Sequence, residues 1–331
     1  MSPRSQESTS AIAPPVVQPL QLLKQPRQWL WAFWKFSRPH TIIGTTLSVM
    51  GIGAIAIADL PGLPSMAWVW IPLAAWVTCL CGNVYIVGLN QLEDVAIDRI
   101  NKPHLPLASG EFSHRQGKTL VITSGVLAIL LPLWQGGWLM ATVWSSILIG
   151  TAYSLPPIRL KRFPFWASLC IFTVRGVVVN LGLFLHVQTT LQTITGQPTS
   201  RAIPPAVWLL TAFILAFTFA IAIFKDIPDL EGDRQYHITT LTVTWGQRAV
   251  FRLARWVITG CYVGMMVAAF ALSSVNAPLL VGSHAVLLGW FWWASQSVKL
   301  SETADIARFY QFIWKLFFME YLLFPLACLF T

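Results

Sequence analysis

Charge is scarce in this chain. Only 11% of its 331 residues are Asp, Glu, Lys or Arg, against about a quarter in ordinary soluble domains. With 55% hydrophobic residues and 17 tryptophans, no water-soluble core could hide the apolar surface, so the natural solvent is a bilayer. Cysteine is scarce too. Cys79, Cys81, Cys170, Cys261 and Cys328 all sit in apolar runs, and none pairs with His in a zinc-like spacing. That excludes a disulfide framework and a zinc centre, and leaves the thiols as small buried hydrophobes. Residues 1–28 lack the basic start and compact apolar stretch of a secretory signal. They are polar and rich in Pro and Gln, and read as a disordered lead-in to one transmembrane domain over 29–331. Residues 29–38, WLWAFWKFSR, read as an interfacial helix with aromatic anchors.

A span needs roughly 20 apolar residues. Nine windows qualify, at about 40–58, 67–90, 119–134, 138–155, 165–186, 205–224, 250–272, 276–296 and 310–330, so the fold class is all-α, with nine transmembrane helices. The basic residues test this map. The N-terminal segment and the loops after spans two, four, six and eight hold 19 of the 22 Lys and Arg. Only Arg201 lies in a loop on the other side, and Arg175 and Lys315 fall inside spans. Such asymmetry places the N-terminus and these loops in the cytoplasm. The net charge of +9 is then mostly a topology signal and needs no nucleic acid to explain it.

The acids are few, 13 in all, and concentrated. Glu93, Asp94 and Asp98 lie at the cytoplasmic end of span two; Asp226, Asp229, Glu231 and Asp233 lie at that of span six. Asn90, Asp94 and Asp98 are spaced four apart, which on a helix is one face, with Glu93 off it. Asp226, Asp229 and Asp233 can share a face too, beside Pro228 and Gly232, which suggest a bent or ending helix. Stacked carboxylates repel one another, and a divalent cation relieves that repulsion. Mg²⁺ prefers a few carboxylates together with phosphate oxygens. One acidic helix end alone is usually a solvated cap. Two on the same side of an acid-poor membrane protein point to a shared metal–anion site. Diphosphate is the natural ligand of such a site, with Lys102, Arg159, Lys161, Lys225 and Arg234 as candidate basic partners. Each of those five also reads as a topology-setting charge.

This motif pair resembles the UbiA superfamily of intramembrane aromatic prenyltransferases over roughly residues 33–330. The stretches Phe36-Ser-Arg-Pro-His-Thr-Ile-Ile-Gly44, Ile100-Asn-Lys-Pro-His-Leu-Pro-Leu-Ala-Ser-Gly-Glu111, Tyr153-Ser-Leu-Pro-Pro-Ile-Arg159 and Lys225-Asp-Ile-Pro-Asp-Leu-Glu-Gly-Asp233 are similar to its homogentisate phytyltransferase branch. The resemblance implies nine helices around a cavity open toward the lipid. It implies Mg²⁺ at Asn90, Asp94 and Asp98, a second Mg²⁺ at Asp229 and Asp233 with Asp226 beside them, and Arg159 and Lys161 on the diphosphate. Arg38, Tyr153 and Lys225 would line the head-group end. The implied donor is a prenyl diphosphate (phytyl or geranylgeranyl) and the implied acceptor is homogentisate, which loses CO₂ after prenylation. Geranylgeranyl or solanesyl transfer is the nearest alternative, and chlorophyll synthases rank lower because their stretch after the first acidic motif differs. The N-terminus lacks a convincing plastid transit peptide, so a bacterial-type protein of a photosynthetic membrane is expected.

Span five carries Arg175, Asn180 and His186. Arg175 should face the cavity or a partner, because a charge there is costly. Binding of the acceptor carboxylate and a structural pairing with Glu320 or backbone carbonyls are both open. Asn180 and His186 read first as helix–helix hydrogen bonders. A cation-coupled transporter would also hold acids in membrane helices, but near the midplane and often with inverted repeats. Here the acids lie at one face.

Overall fold

The computed structural model of the chain describes residues 19–58, 66–228, 230, 234 and 240–331. Among these residues there is no strand. The helices are α1 (Pro26–Phe36), α2 (Pro39–Ala58), α3 (Ala67–Glu93), α4 (Val95–Asn101), α5 (Pro106–Ser109), α6 (His114–Leu130), α7 (Gly137–Ser154), α8 (Pro164–Phe172), α9 (Val179–Thr195), α10 (Pro205–Lys225), α11 (Leu241–Trp245), α12 (Gln247–Ala269), α13 (Ala277–Gln296) and α14 (Thr303–Leu329). A π turn, Thr173–Val178, joins α8 to α9 in one long rod.

Local chemistry sets the starts of these elements. Pro stands in the first turn of α1, α5, α8, α10 and α13, where a missing N–H costs nothing. Ser113 opens α6 through a reciprocal box with Gln116: the Gln116 amide donates to Ser113 Oγ at 3.2 Å, and the Ser113 amide donates to Gln116 Oε1 at 2.8 Å.

Eight helices are long and apolar enough to cross a membrane, and they fall where eight of the nine windows place them. The ninth, α7, has the required position but carries Thr142, Ser145, Ser146, Thr151 and Ser154. Four of these hydroxyls donate to carbonyls one turn back, Thr142 to Trp138 at 2.7 Å among them. A polar helix can thus stand in an apolar layer with its groups satisfied. Ahead of the first span, the Leu20 amide donates to Glu111 O at 2.9 Å, Gln116 Nε2 donates to Leu20 O at 2.7 Å, and α1 begins at Pro26.

The core centres on α10, whose apolar stretch is 61% buried, more than that of any other span. Phe213 and Phe217 stack at 5.3 Å and meet Tyr262 of α12 edge-on. Between α13 and α14, His284 and Glu320 form a fully buried pair at 3.1 Å. The other ring nitrogen of His284 lies 2.8 Å from the Leu280 carbonyl. Helices α2 and α14 approach backbone to backbone at Gly51, where an added Cβ would sit 2.6 Å from the Tyr321 carbonyl oxygen. Small residues permit such contacts where lipid offers no hydrophobic drive for helix association. Gly51→Ala is expected to destabilise by about 1–3 kcal/mol, the usual cost of overpacking, read as a lower thermal midpoint in detergent. Gly260→Ala, with open space around the added carbon, should leave that midpoint unchanged or raise it.

Candidate active site

The first acidic motif stands where the chain leaves the bundle. Helix α3 ends at Glu93, and Asp94 (φ −111°, ψ 13°) breaks it before α4 begins. Hydrogen bonding continues through the break: the Asp94 amide donates to Asn90 O at 3.2 Å and the Asp98 amide to Asp94 O at 2.7 Å. Asn90, Asp94 and Asp98 therefore stay one turn apart, as their spacing predicts, but across a kink rather than along one straight helix.

Each of the three has a distinct setting. Arg159 Nη2 and Lys161 Nζ reach the two Asp94 oxygens at 2.9 and 2.6 Å. Asn90 Nδ2 donates to Asp94 at 3.2 Å, and Arg38 Nη2 donates to Asn90 Oδ1 at 3.1 Å. A chain of contacts thus runs from Arg38 through Asn90 and Asp94 to Arg159 and Lys161. Asp98 is 4% exposed. Its Oδ1 lies 3.8 Å from Lys102, and its buried Oδ2 has no hydrogen-bond partner among the described residues. An orphaned buried carboxylate oxygen is costly, and a hard cation is a fitting partner for it. Asn90, Asp94 and Asp98 supply all-oxygen donors of the kind Mg²⁺ takes; no cluster of three or more His, Cys, Asp or Glu suited to a metal ion occurs among the described residues.

The two arginines are backbone exceptions. Arg38 (φ 54°) and Arg159 (φ 38°) are the non-glycine residues at positive φ among those described. Such conformations cost on the order of 1–3 kcal/mol and persist where the surroundings over-determine them. Here both point a guanidinium at the Asn90–Asp94 pair.

The remaining cations complete an anion-binding mouth. Burial, then repulsion from Arg38, holds the Lys102 ammonium below the ordinary lysine range, while Asp98 pulls the other way. The charge of Lys225, the last residue of α10, also bears on Lys102, so the two acidic motifs begin within electrostatic reach of each other. Asp226 caps α10. Asp229 and Asp233 lie outside the described residues, and Arg234 is exposed.

Behind the mouth lies a cavity of about 320 Å³ walled by α2, α3, α7, α8, the π turn, α9 and α14. Arg38, Asn90 and Tyr153 line its charged end; Val49, Cys79 and Thr142 line it eleven positions deeper on α2, α3 and α7. At the rise of an α-helix, all three give a depth of about 16 Å. Arg175 enters from the π turn, a device often found at functional sites. Its guanidinium stands over Trp314 at 5.0 Å and Phe317 at 5.7 Å. The pairing with Glu320 considered from sequence is corrected, since Glu320 is engaged by His284. Asn180 accepts from Tyr321 Oη at 2.8 Å, a bond between α9 and α14; His186 is buried with Nε2 unpartnered among the described residues.

Sequence reasoning missed His40, Trp314, Phe317 and the Asn83–Thr45 hydrogen bond of 3.0 Å, all on the cavity wall. Asn83 carried a usable signal, being an amide inside an apolar span. The aromatics carried none among so many.

Comparison with known proteins shows a family and a fold. The model of the UbiA prenyltransferase family matches residues 46–316. The homogentisate phytyltransferase of a Synechocystis species is 54% identical over 298 residues, covering 89% of this chain and 95% of its own. Homogentisate phytyltransferase 1 of Arabidopsis thaliana is 41% identical over 303 residues, covering 90% and 76%. A UbiA homolog from Archaeoglobus fulgidus, solved with GPP and Mg²⁺, superposes with a TM-score of 0.58 at 16% identity over 91% of this chain and all of its own.

An anion site of this kind should be measurable without turnover. Inorganic diphosphate is expected to raise the thermal midpoint, because a ligand that binds only the folded state stabilises it. The double substitution Arg159→Ala, Lys161→Ala should lose most of that rise.

Proposed function

The chain belongs to the UbiA prenyltransferase family, and from that premise we propose that it transfers a C20 prenyl group, phytyl, from its diphosphate to homogentisate with loss of CO₂, giving 2-methyl-6-phytylbenzoquinol for tocopherol synthesis. One observation carries the chemistry: Asp94 and Asp98 stand among Arg38, Lys102, Arg159 and Lys161 at the mouth of a cavity about 16 Å deep. The choice of acceptor and donor is supported by the 54% identity to a homogentisate phytyltransferase along nearly its whole length.

Asn90, Asp94 and Asp98 would hold one Mg²⁺, and Asp226, Asp229 and Asp233 the other. Bound there, Mg²⁺ supplies neutralising charge for the departing diphosphate. The rest is done by side chains. Arg159, Lys161, Lys102 and Lys225 hold and orient the diphosphate, with Arg38 and Tyr153 at the same end. The apolar wall takes the prenyl tail and keeps water from the allylic cation. Trp314 and Phe317 present ring faces that attract positive charge. Arg175 binds the acceptor carboxylate. The charged mouth faces the cytoplasm, as the distribution of Lys and Arg supports, and residues 29–331 act as one transmembrane domain.

The test uses purified protein in lipid nanodiscs with Mg²⁺, ring-labelled homogentisate, and phytyl or geranylgeranyl diphosphate in separate reactions. A quinol that carries both the ring label and the prenyl tail is expected, and homogentisate labelled instead in its carboxyl group should release that label as CO₂. EDTA should stop turnover, as should Asp94→Ala or Asp233→Ala in protein that still inserts. No product with either donor, or full activity in EDTA, contradicts the reading. Arg175→Ala should raise the KM for homogentisate roughly ten-fold or more, as expected for loss of a charge-assisted hydrogen bond, while leaving that for the donor in place. An unchanged acceptor KM in folded protein removes Arg175 from the acceptor site.

A further inference from the structure

We propose that His40 is the proton acceptor for the hydroxyl group of the aromatic acceptor during prenyl transfer, a catalytic role that rests on the reading of that acceptor as a phenol.

His40 lies in the first turn of α2, two residues after Arg38, and lines the cavity next to its charged end. The reacting carbon of an allylic diphosphate must lie there, where the head group gives way to the tail. The imidazole stands 5.6 Å from the ring of Trp314, tilted by 56°. The same indole carries the Arg175 guanidinium at 5.0 Å. His40 and Arg175 thus flank one indole, so an acceptor whose carboxylate meets Arg175 can set its ring beside Trp314 and turn a hydroxyl toward His40.

The other polar groups of the cavity are unsuited or already engaged. Arg38 and Arg175 are donors only. Asp94 is held by Arg159 and Lys161, and Asn90 by Arg38. Tyr321 donates to Asn180. Cys79 and Cys170 would have to ionise in an apolar wall. His40 is exposed on the cavity side, and its ring nitrogens make no hydrogen bond among the described residues. In His284, by contrast, both nitrogens are engaged. An imidazole with an unengaged ring nitrogen can take a proton from a hydroxyl held beside it. The charges that bear on it are Arg38 from the start of α2, Arg175 from the π turn and Lys102 after α4.

The hydroxyl proton passes to His40 while the O–H electron pair moves into the ring. A ring carbon forms the new C–C bond to the allylic carbon. The allylic C–O bond breaks, and its pair leaves with the diphosphate.

The experiment compares wild type, His40→Ala and His40→Gln in nanodiscs with Mg²⁺, phytyl diphosphate and homogentisate. Both variants should lose about 100-fold or more in kcat, the usual contribution of a general base, with both KM values nearly unchanged. Added imidazole should restore turnover to His40→Ala and not to His40→Gln. The acid limb of the wild-type kcat–pH profile should vanish in His40→Ala and return with imidazole. Wild-type kcat in either variant overturns the proposal. So does a reduced kcat without imidazole rescue and with the acid limb intact, which is what packing against Trp314 alone would give. A wild type that forms no prenylated homogentisate removes the phenol acceptor, and the role of His40 with it; that failure shows before any variant is compared.

Discussion

A carboxylate at the edge of an apolar layer is costly unless cations or hydrogen-bond donors surround it, and Asp94 is surrounded. Arg159 and Lys161 reach it from the segment between α7 and α8, and Asn90 reaches it from the last turn of α3. Arg38, at the junction of α1 and α2, holds Asn90 in turn. Three separate segments are thereby drawn to one point. Without Asp94 the cations would repel one another and the mouth would lose its shape. The positive φ angles of Arg38 and Arg159 belong to this arrangement, because they are what lets both guanidinium groups converge.

The cavity divides its labour along its length. Charge is confined to the mouth, where the head group of a prenyl diphosphate can be matched by Lys and Arg. Deeper in, Val49, Cys79 and Leu183 offer apolar wall, and α7 offers hydroxyls already satisfied by its own backbone. Beyond the mouth region, Arg175 is the one Lys or Arg on this wall among the described residues; it enters on a π turn and lies against Trp314 and Phe317. That places a guanidinium, the group proposed to bind the acceptor carboxylate, against the aromatic rings of the cavity wall.

Much of this is legible in the sequence wherever periodicity or charge balance carries the information. The four-residue spacing of Asn90, Asp94 and Asp98 places them on one side, and the distribution of Lys and Arg brings Lys102, Arg159 and Lys161 to the same end. The kink at Asp94 is not legible, since the helical hydrogen bonds continue through it and no Pro or Gly marks it. Which cation meets which acid is hidden for a similar reason: it depends on loop geometry at Arg159. Arg175 announces itself as a charge in an apolar span, but Glu320 was the wrong partner, because its contact with His284 spans two helices far from the cavity charges in sequence. Helix α7 looked like any other span because its hydroxyls satisfy themselves. His40 has no signal in the sequence, because only the fold brings its ring beside Trp314.

The central claim is that Asn90, Asp94 and Asp98 hold a metal ion against the diphosphate. It is tested most directly by an experimental structure of the protein with Mg²⁺ and a non-ionisable prenyl thiodiphosphate. The account predicts a metal at roughly 2.0–2.1 Å, the Mg²⁺–oxygen distance, from the buried Asp98 Oδ2 or from Asp94, bridging to a diphosphate held by Arg159 and Lys161. A diphosphate seated in the mouth with no metal on Asp94 or Asp98, or one bound elsewhere on the molecule, would contradict it.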